Sequence, residues 1–204
     1  MSESDFMTTA IADAFRSKRL IYRAAEDNEA DRTFVFRDLN SDHVTRALGD
    51  PSLHKSMNRV SSDKEFERQL NSTLLSIIVC LPGGDTQDPE PIGFLNIKEV
   101  PPYQRRGSMG IKIAPKHQNK GYGSEVVNWA MDWAFKWGGL HSLCLGASLY
   151  NERAVAVYEK AGFRREGVSK EAVYRNRRWW DTVQMAILEH EWEALRGINV
   201  PGSS

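Results

Sequence analysis

Between Ser108 and Ser124 the chain reads Ser-Met-Gly-Ile-Lys-Ile-Ala-Pro-Lys-His-Gln-Asn-Lys-Gly-Tyr-Gly-Ser, a run suited to holding an anion. Met109, Ile111 and Ile113 alternate with smaller or polar residues and predict a strand. Lys116, His117 and Lys120 bring positive charge to the loop that follows, and Gly121 and Gly123 open a helix. A helix start offers unpaired backbone N–H groups and the positive end of a dipole, about half an elementary charge. Glycines let a phosphate approach that backbone where a Cβ would obstruct it. Gln118, Asn119, Lys120, Gly121, Tyr122, Gly123 and Ser124 are therefore the candidate phosphate-binding residues. Two familiar phosphate loops do not fit. The chain has no Gly-Lys-Ser/Thr triplet, and Gly121-x-Gly123 is followed by Val126 where a dinucleotide-binding turn has its third glycine. An ordinary glycine-opened helix is the simpler alternative.

A second pattern follows one strand later: Asn151-Glu-Arg-Ala154-Val-Ala-Val-Tyr158-Glu-Lys-Ala-Gly162-Phe163. Asn151 is suited to cap a short helix that has Glu152 in its first turn, Lys160 in its last and Gly162 as a left-handed stop. Asn151 and Tyr158 are two turns apart and so share one helix face. A phenol there could donate a proton, or it could be a core tyrosine packed beside Val155 and Ala161.

Together, Gln118-x-x-Gly121-x-Gly123 and Asn151-x-x-Ala154-x-x-x-Tyr158-x-x-x-Gly162-Phe163 resemble the two signatures of the GNAT acetyltransferases, in the family's order. The stretch from Arg165 through Tyr174 and Asp181 to Met185 is similar to the branch holding ribosomal-protein alanine N-acetyltransferases and related small-amine enzymes. The resemblance covers roughly residues 92 to 192, and weakly 19 to 23. It implies a mixed α/β fold with a mainly antiparallel central sheet flanked by helices. It also implies acetyl-CoA as co-substrate, an amine acceptor (a protein N-terminus, a small amine or an amino acid), and no metal.

In such a fold the residues from Gln118 to Ser124 would hold the pyrophosphate. Backbone groups of Ile111 and Ile113 would pair with the pantetheine arm like an added strand. An amide near Ile113 would polarise the acetyl carbonyl, Asn151 would contact the pantetheine, and Tyr158 would protonate the departing thiolate. The glutamate that some members carry early in this strand is missing, because Gly107 and Ser108 stand there. Glu99, Glu152, Glu166, His141 and Asp181 are available as bases, and spacing singles out none of them. A weak or water-mediated base suits an α-amine, with a reference pKa of about 8, better than a lysine at about 10.4. A binding domain without turnover, an acyl-CoA sensor or scaffold, is the reading from a different class. Trp179, Trp180 and Arg175 to Arg178 either line an acceptor cleft or form a solvated turn.

The elements that must position these groups read as follows. Residues 1–17 are expected as a loose arm, 18–196 as one domain and 197–204 as a tail. Arg19 to Arg23 is a plausible first strand, and the stretch from Ala24 to about Leu70 is mixed and mostly helical. That stretch breaks at Gly49-Asp50-Pro51 and again at Ser61-Ser62-Asp63, where a helix through Phe66 and Leu70 would start. Leu74 to Leu81 and Ile92 to Val100 form a hairpin across a Pro/Gly/Asp loop, ended by Pro101-Pro102. After Gly123, Val126, Val127, Ala130, Met131, Trp133, Ala134 and Trp137 make the apolar stripe of a helix. Its solvent face carries Glu125, Asn128, Asp132 and Lys136, and Gly138-Gly139 stop it. Leu143 to Leu149 alternate as a strand, Phe163 to Tyr174 and Trp179 to Leu188 form a closing hairpin, and Glu189 to Arg196 a last helix.

Composition bounds the rest. The 204 residues suit one domain with a sizeable core. The 27 basic and 27 acidic side chains cancel, so no global field favours nucleic acid or an acidic membrane. Cys80 and Cys144 sit in apolar runs and read as buried reduced thiols. With no leader-like N-terminus and no apolar run near the ~20 residues that span a bilayer, a cytoplasmic protein is expected, as a monomer or homodimer.

Overall fold

Period-two runs of Ile, Val and Leu become the strands of one seven-stranded sheet, and residues 3–52, 55–84, 88–99 and 102–198 of this computed structural model are described here. In chain order the elements begin with α1 (Glu3–Asp13), β1 (Ile21–Ala24) and α2 (Glu29–Phe34), which runs into a π-helical turn (Val35–Asn40). Then come α3 (His43–Gly49), α4 (Arg59–Asn71), β2 (Leu75–Leu81), β3 (Glu90–Glu99) and β4 (Arg106–Ile113). The second half holds α5 (Tyr122–Lys136), β5 (Ser142–Ser148), α6 (Glu152–Ala161), β6 (Arg164–Arg175), β7 (Arg178–Leu188) and α7 (Glu189–Arg196). The strand order is β1-β2-β3-β4-β5-β7-β6. Every neighbouring pair is antiparallel except β4 and β5. The mixed, mainly antiparallel α/β fold is thus the one expected.

Alternation along the strands sorts side chains to two faces. On one face Leu95, Ile97, Leu143 and Ile187 pack under α5, α6 and α7, and Tyr22 stacks on Trp129 with ring centroids 3.8 Å apart. On the other, Phe34, Leu39 and Phe66 cover Ile78, Cys80 and Phe94 of β2 and β3. That second core takes no described residue from β5, β6 or β7, and on this half of the face Gly146 and Gln184 are exposed while Ala186 is buried.

Several sequence readings change. The segment expected as a loose arm contains α1, and its end is tied down: the Ala14 carbonyl accepts from Trp129 Nε1 at 2.9 Å, and Ser17 donates to Glu125 at 2.7 Å. Helix α4 starts at Asn58, whose side chain accepts from Ser61 N–H, so Ser61-Ser62-Asp63 lies within the helix. The polar face of α5 is covered, because α7 and Arg19 supply partners: Asp132 accepts from Trp192 Nε1 and Arg196 Nε, each at 2.8 Å. Trp137, read as core, is exposed, while Trp129 and Phe135 fill the stripe. Cys80 is buried and burial pushes its thiol pKa up, whereas Cys144 is only half-buried. Residues 1–2, 85–87, 100, 101 and 199–204, on which the readings of the arm's start, the Pro/Gly/Asp loop, Val100-Pro101 and the tail partly fall, lie outside the described residues. No described helix is long and apolar enough to cross a membrane.

Candidate active site

The parallel contact between β4 and β5 lasts only from Arg106↔Ser142 to Ser108↔Cys144. Beyond it β4 stays on β3 as far as Ile113, and β5 stays on β7 as far as Ser148, so the two strands diverge into a V. Ala114 N–H donates to Ile92 O at 2.8 Å, which sets the phase of the β3–β4 ladder. In that phase the backbone groups of Ile111 and Ile113 point away from β3 and into the gap. A cleft of about 380 Å³ occupies it, walled by Thr45 and Leu48 of α3, the start of α5, and Asn151 and Tyr158 of α6.

At one end of the cleft the loop and the α5 N-terminus form a cradle. Gly121 is the N-cap with φ +81°, a conformation that favours glycine, and no side chain caps the helix. A Cβ on Gly123 would find nothing within 4 Å, so that backbone is open to an incoming group. The cradle is fixed by contacts that the sequence did not reveal. Gln118 Nε2 donates to Thr45 Oγ1 at 3.0 Å and to Ile113 O at 2.9 Å. Arg153 donates to Asn119 Oδ1 at 2.6 Å and to Gln118 Oε1 at 2.9 Å. Behind the loop, Arg19 donates to Lys120 O at 3.0 Å, pairs with Glu125 at 2.7 Å and stacks over Tyr122 at 4.6 Å.

Gln118, Asn119, Gly121, Gly123 and Ser124 line the cleft, but Lys120 and Tyr122 do not. The side chain of Tyr122 packs against the core under Arg19. The expected approach charges also differ. Lys116 pairs with Glu90 at 2.8 Å, and burial holds His117 below the usual imidazole pKa, so its ring is neutral at pH 7. His117 Nε2 lies 3.3 Å from Glu90 Oε1 but out of line for a hydrogen bond, and Glu90 is instead held by Lys116. Arg153, on α6, is the cation that the sequence reading missed.

Asn151 Oδ1 accepts from Ala154 N–H at 3.3 Å as the cap of α6, and its Nδ2 donates to Leu48 O at 3.2 Å, which ties α6 to α3. Tyr158 lines the cleft two turns on and packs edge-to-face with Phe163. Burial pushes its phenol up to about 12, so it is protonated throughout the neutral range. Tyr158 is thus half packing residue and half cleft wall.

Of the groups weighed as bases, Glu152, Glu166, His141 and Asp181 lie outside the cleft lining. Glu152 is exposed at the start of α6, Glu166 pairs with Arg106 at 2.8 Å, His141 faces Glu189, and Asp181 accepts from Glu171 N–H at 2.8 Å. Glu99 pairs by backbone with Gly107, and its side chain lies outside the described residues. A Cβ on Gly107 would come within 2.6 Å of Leu140 Cδ1 and 2.8 Å of Ile97 Cγ2, so a side chain at that strand position requires these core residues to shift. The described cleft lining contains no Asp or Glu, and no cluster of three or more His, Cys, Asp or Glu suited to a metal occurs among the described residues.

The cluster at the closing hairpin divides between a turn and a small second cavity. Asn176 and Arg177 form the turn, with φ 46° and 60°, and Trp179 is exposed. Trp180 and Arg175 turn inward to line a second cavity.

Comparison with known proteins fits this geometry. The acetyltransferase (GNAT) domain family matches residues 19–164. Spermidine N(1)-acetyltransferase of Vibrio cholerae serotype O1 is 35% identical over 101 residues, 50% of this chain and 58% of that protein. The putative ribosomal N-acetyltransferase YdaF of Bacillus subtilis is 28% identical over 101 residues, 50% of this chain and 55% of that protein. The chain therefore matches little more than half the length of these curated relatives. The crystal structure of spermidine N-acetyltransferase from Vibrio cholerae with CoA and spermine superposes with a TM-score of 0.73 at 25% identity, over 86% of this chain and 99% of that one.

Proposed function

The chain belongs to the GNAT acetyltransferase family, and on that premise we propose that it transfers an acetyl group from acetyl-CoA directly to a primary amine. The observation that carries this reading is the V between β4 and β5, which ends at an uncapped, glycine-opened helix. Such a gap takes an extended arm by backbone pairing, as an added strand would be taken. The helix N-terminus takes the pyrophosphate through the N–H groups of the Gly121–Ser124 turn. The open space over Gly123 is the room that a phosphate needs.

Each step then has a group in this chain. Ile111 and Ile113 N–H aim donors into the gap where negative charge would develop on the acetyl oxygen. The neutral amine adds to the acetyl carbon, a C–N bond forms and the C–S bond breaks. Tyr158, protonated at neutral pH, is positioned to return a proton to the leaving sulfur. With no carboxylate in the described lining, the proton lost by the amine goes to water. Cleft residues Gln118, Asn119 and Arg153 hold the loop in register, and Asn151 orients α6.

Residues 18–196 form the acting unit in this reading. The resemblance of Arg165 to Met185 to the ribosomal-protein alanine N-acetyltransferase branch, and the missing glutamate at Gly107-Ser108, are the grounds for favouring an α-amine or another modestly basic acceptor in this reading. The test is release of CoA thiol from acetyl-CoA with a panel of amines, followed by mass spectrometry of the product. Tight acetyl-CoA binding with no acceptor turned over would instead mark a binding domain.

A further inference from the structure

The cleft passes through the V from one face of the sheet to the other. Ile111, Val157 and Tyr158 line it on the face that carries α5 and α6. Gly110, Gly146, Ser148, Thr182 and Gln184 line it on the opposite face, where α3 supplies Thr45 and Leu48. This second mouth is built alike on both legs of the V. On one leg Gln184 of β7 stands opposite Gly146 of β5, and a Cβ on that glycine would meet Gln184 Nε2 at 3.2 Å and Oε1 at 3.3 Å. On the other leg Asn96 of β3 stands opposite Gly110 of β4, and a Cβ there would come within 2.7 Å of Asn96 Oδ1. Each glycine makes room for a carboxamide that leans over it, from the outer strand towards the gap.

Neither carboxamide hydrogen-bonds to another described residue, although Asn96 is only 8% exposed. A polar group so far buried ordinarily has a partner. Each carboxamide offers a carbonyl acceptor and an NH₂ donor, the complement of the N–H and C=O of a peptide group. Charge at this mouth is sparse. Lys112 is the one charged side chain lining it among the described residues, and its ammonium is turned to Asn40 Oδ1 at 2.8 Å. A second ammonium, as in a polyamine, would find no carboxylate in the described lining, and desolvating an unpaired charge is costly. A free carboxylate would have to draw Lys112 away from Asn40.

Resting on the acetyl-transfer reading, we infer that the acceptor is the N-terminus of a peptide, whose amine enters the V from this mouth and whose first peptide groups bond to the Gln184 and Asn96 carboxamides. Asn96 and Gln184 are then the residues that select an amine joined to an amide over a polyamine or a free amino acid. Gly110 and Gly146 act through them, by leaving the space in which the carboxamides lie. A neutral hydrogen bond of this kind is worth about five-fold in affinity.

The test uses the full chain with acetyl-CoA and measures CoA release with alanine N-methylamide, alanine methyl ester, alanine and spermidine. The amide and the ester carry similar amines and differ chiefly in the N–H and the strength of the carbonyl acceptor. The amide is expected to exceed the ester by about five-fold in kcat/KM, and alanine and spermidine by at least as much. The amide-to-ester ratio should fall to near one in Gln184→Leu, and fall also in Gly146→Ala, where the new Cβ presses on the Gln184 carboxamide. Asn96→Leu should lower the ratio too, and an acetyl-CoA thermal shift confirms that this buried variant is folded. Preference for spermidine or alanine, or an unchanged ratio in Gln184→Leu, overturns the inference while leaving acetyl transfer intact. If no amine releases CoA, binding to the chain loaded with CoA decides: tighter binding of the amide than of the ester, lost in Gln184→Leu, supports the site, and equal binding overturns it.

Discussion

Gly121 and Gly123 should respond in opposite ways to substitution by valine. At Gly123 the backbone is ordinary helix and a new Cβ meets nothing within 4 Å. Glycine costs a helix about 0.5–1 kcal/mol relative to alanine, and valine recovers part of that. Unliganded Gly123→Val should therefore melt no lower than the parent, and Gly123→Ala about 1–4 °C higher, at roughly 2–4 °C per kcal/mol for a chain of this size. At Gly121, φ is +81°, and a Cβ would also press on Arg19 Nη2 at 3.3 Å. The left-handed backbone costs an L residue roughly 1–2 kcal/mol, so Gly121→Val should melt about 2–8 °C lower. Acetyl-CoA at a hundred times its Kd should stabilise the parent by about 2.7 kcal/mol, about 5–11 °C. Both valine variants should lose that shift: at Gly123 a branched side chain fills the open space over the helix start, and at Gly121 it displaces the left-handed turn that presents the backbone N–H groups. The assay is a thermal melt with and without acetyl-CoA. A full ligand shift in Gly123→Val, whose fold nothing else disturbs, would refute the cradle.

Three further outcomes are expected. Tyr158→Phe keeps the ring against Phe163 and removes the proton, so turnover should fall by ~10² to 10⁴-fold while acetyl-CoA affinity holds; loss of less than about two-fold places the acid elsewhere. The pH profile of kcat/KM should rise with a single pKa that tracks the acceptor amine, since the Tyr158 phenol titrates only near 12 and His117 is held neutral. One fixed value near 6–7 for all acceptors, abolished by His141→Gln, would reveal a protein base. Asp132→Ala strands the Trp192 N–H between α5 and α7, while Arg196 keeps its bond to Asn128, and an unpaired buried donor costs about 1–3 kcal/mol; a melting point unchanged within 1 °C would show that α7 is held by apolar contact.

What could be read in advance followed from local rules. The glycine-opened helix, the Asn151 cap and the Gly162 stop, at φ 104°, each follow from the conformational needs of a single residue. Ile111 and Ile113 were reachable through the resemblance, and the diverging strands put their backbone in the gap. Hidden from the sequence were contacts between distant segments. Arg19 supports a loop that lies about a hundred residues away, and Arg153 reads in isolation as a surface charge on α6. The polar face of α5 was legible as polar, but periodicity does not say whether water or a neighbouring helix satisfies it. The region from Glu29 to Asn71 resisted because its helices are short and bound by ion pairs, Arg59 with both Glu29 and Asp63 and Arg32 with Asp27. Such pairs leave no periodic apolar signature.

The three-residue seam between β4 and β5 has a mechanical consequence. Each half of the sheet, Ile21–Ile113 and Ser142–Leu188, keeps its own antiparallel ladder, and within the described sheet that seam alone joins the two backbones, while across the gap they are tied by side chains such as Asn151 to Leu48 and Arg175 to Asp50. Lateral cohesion is thus lowest along the line where the ligand sits. A molecule seated in the V becomes a missing rung, shared by both ladders, and opening of either half then requires its release. Amide exchange in the empty chain should report two cooperative units with separate opening energies. With acetyl-CoA bound, those energies converge, and the amides of Ile111 and Ile113, idle in the free chain, become the slowest newly protected sites.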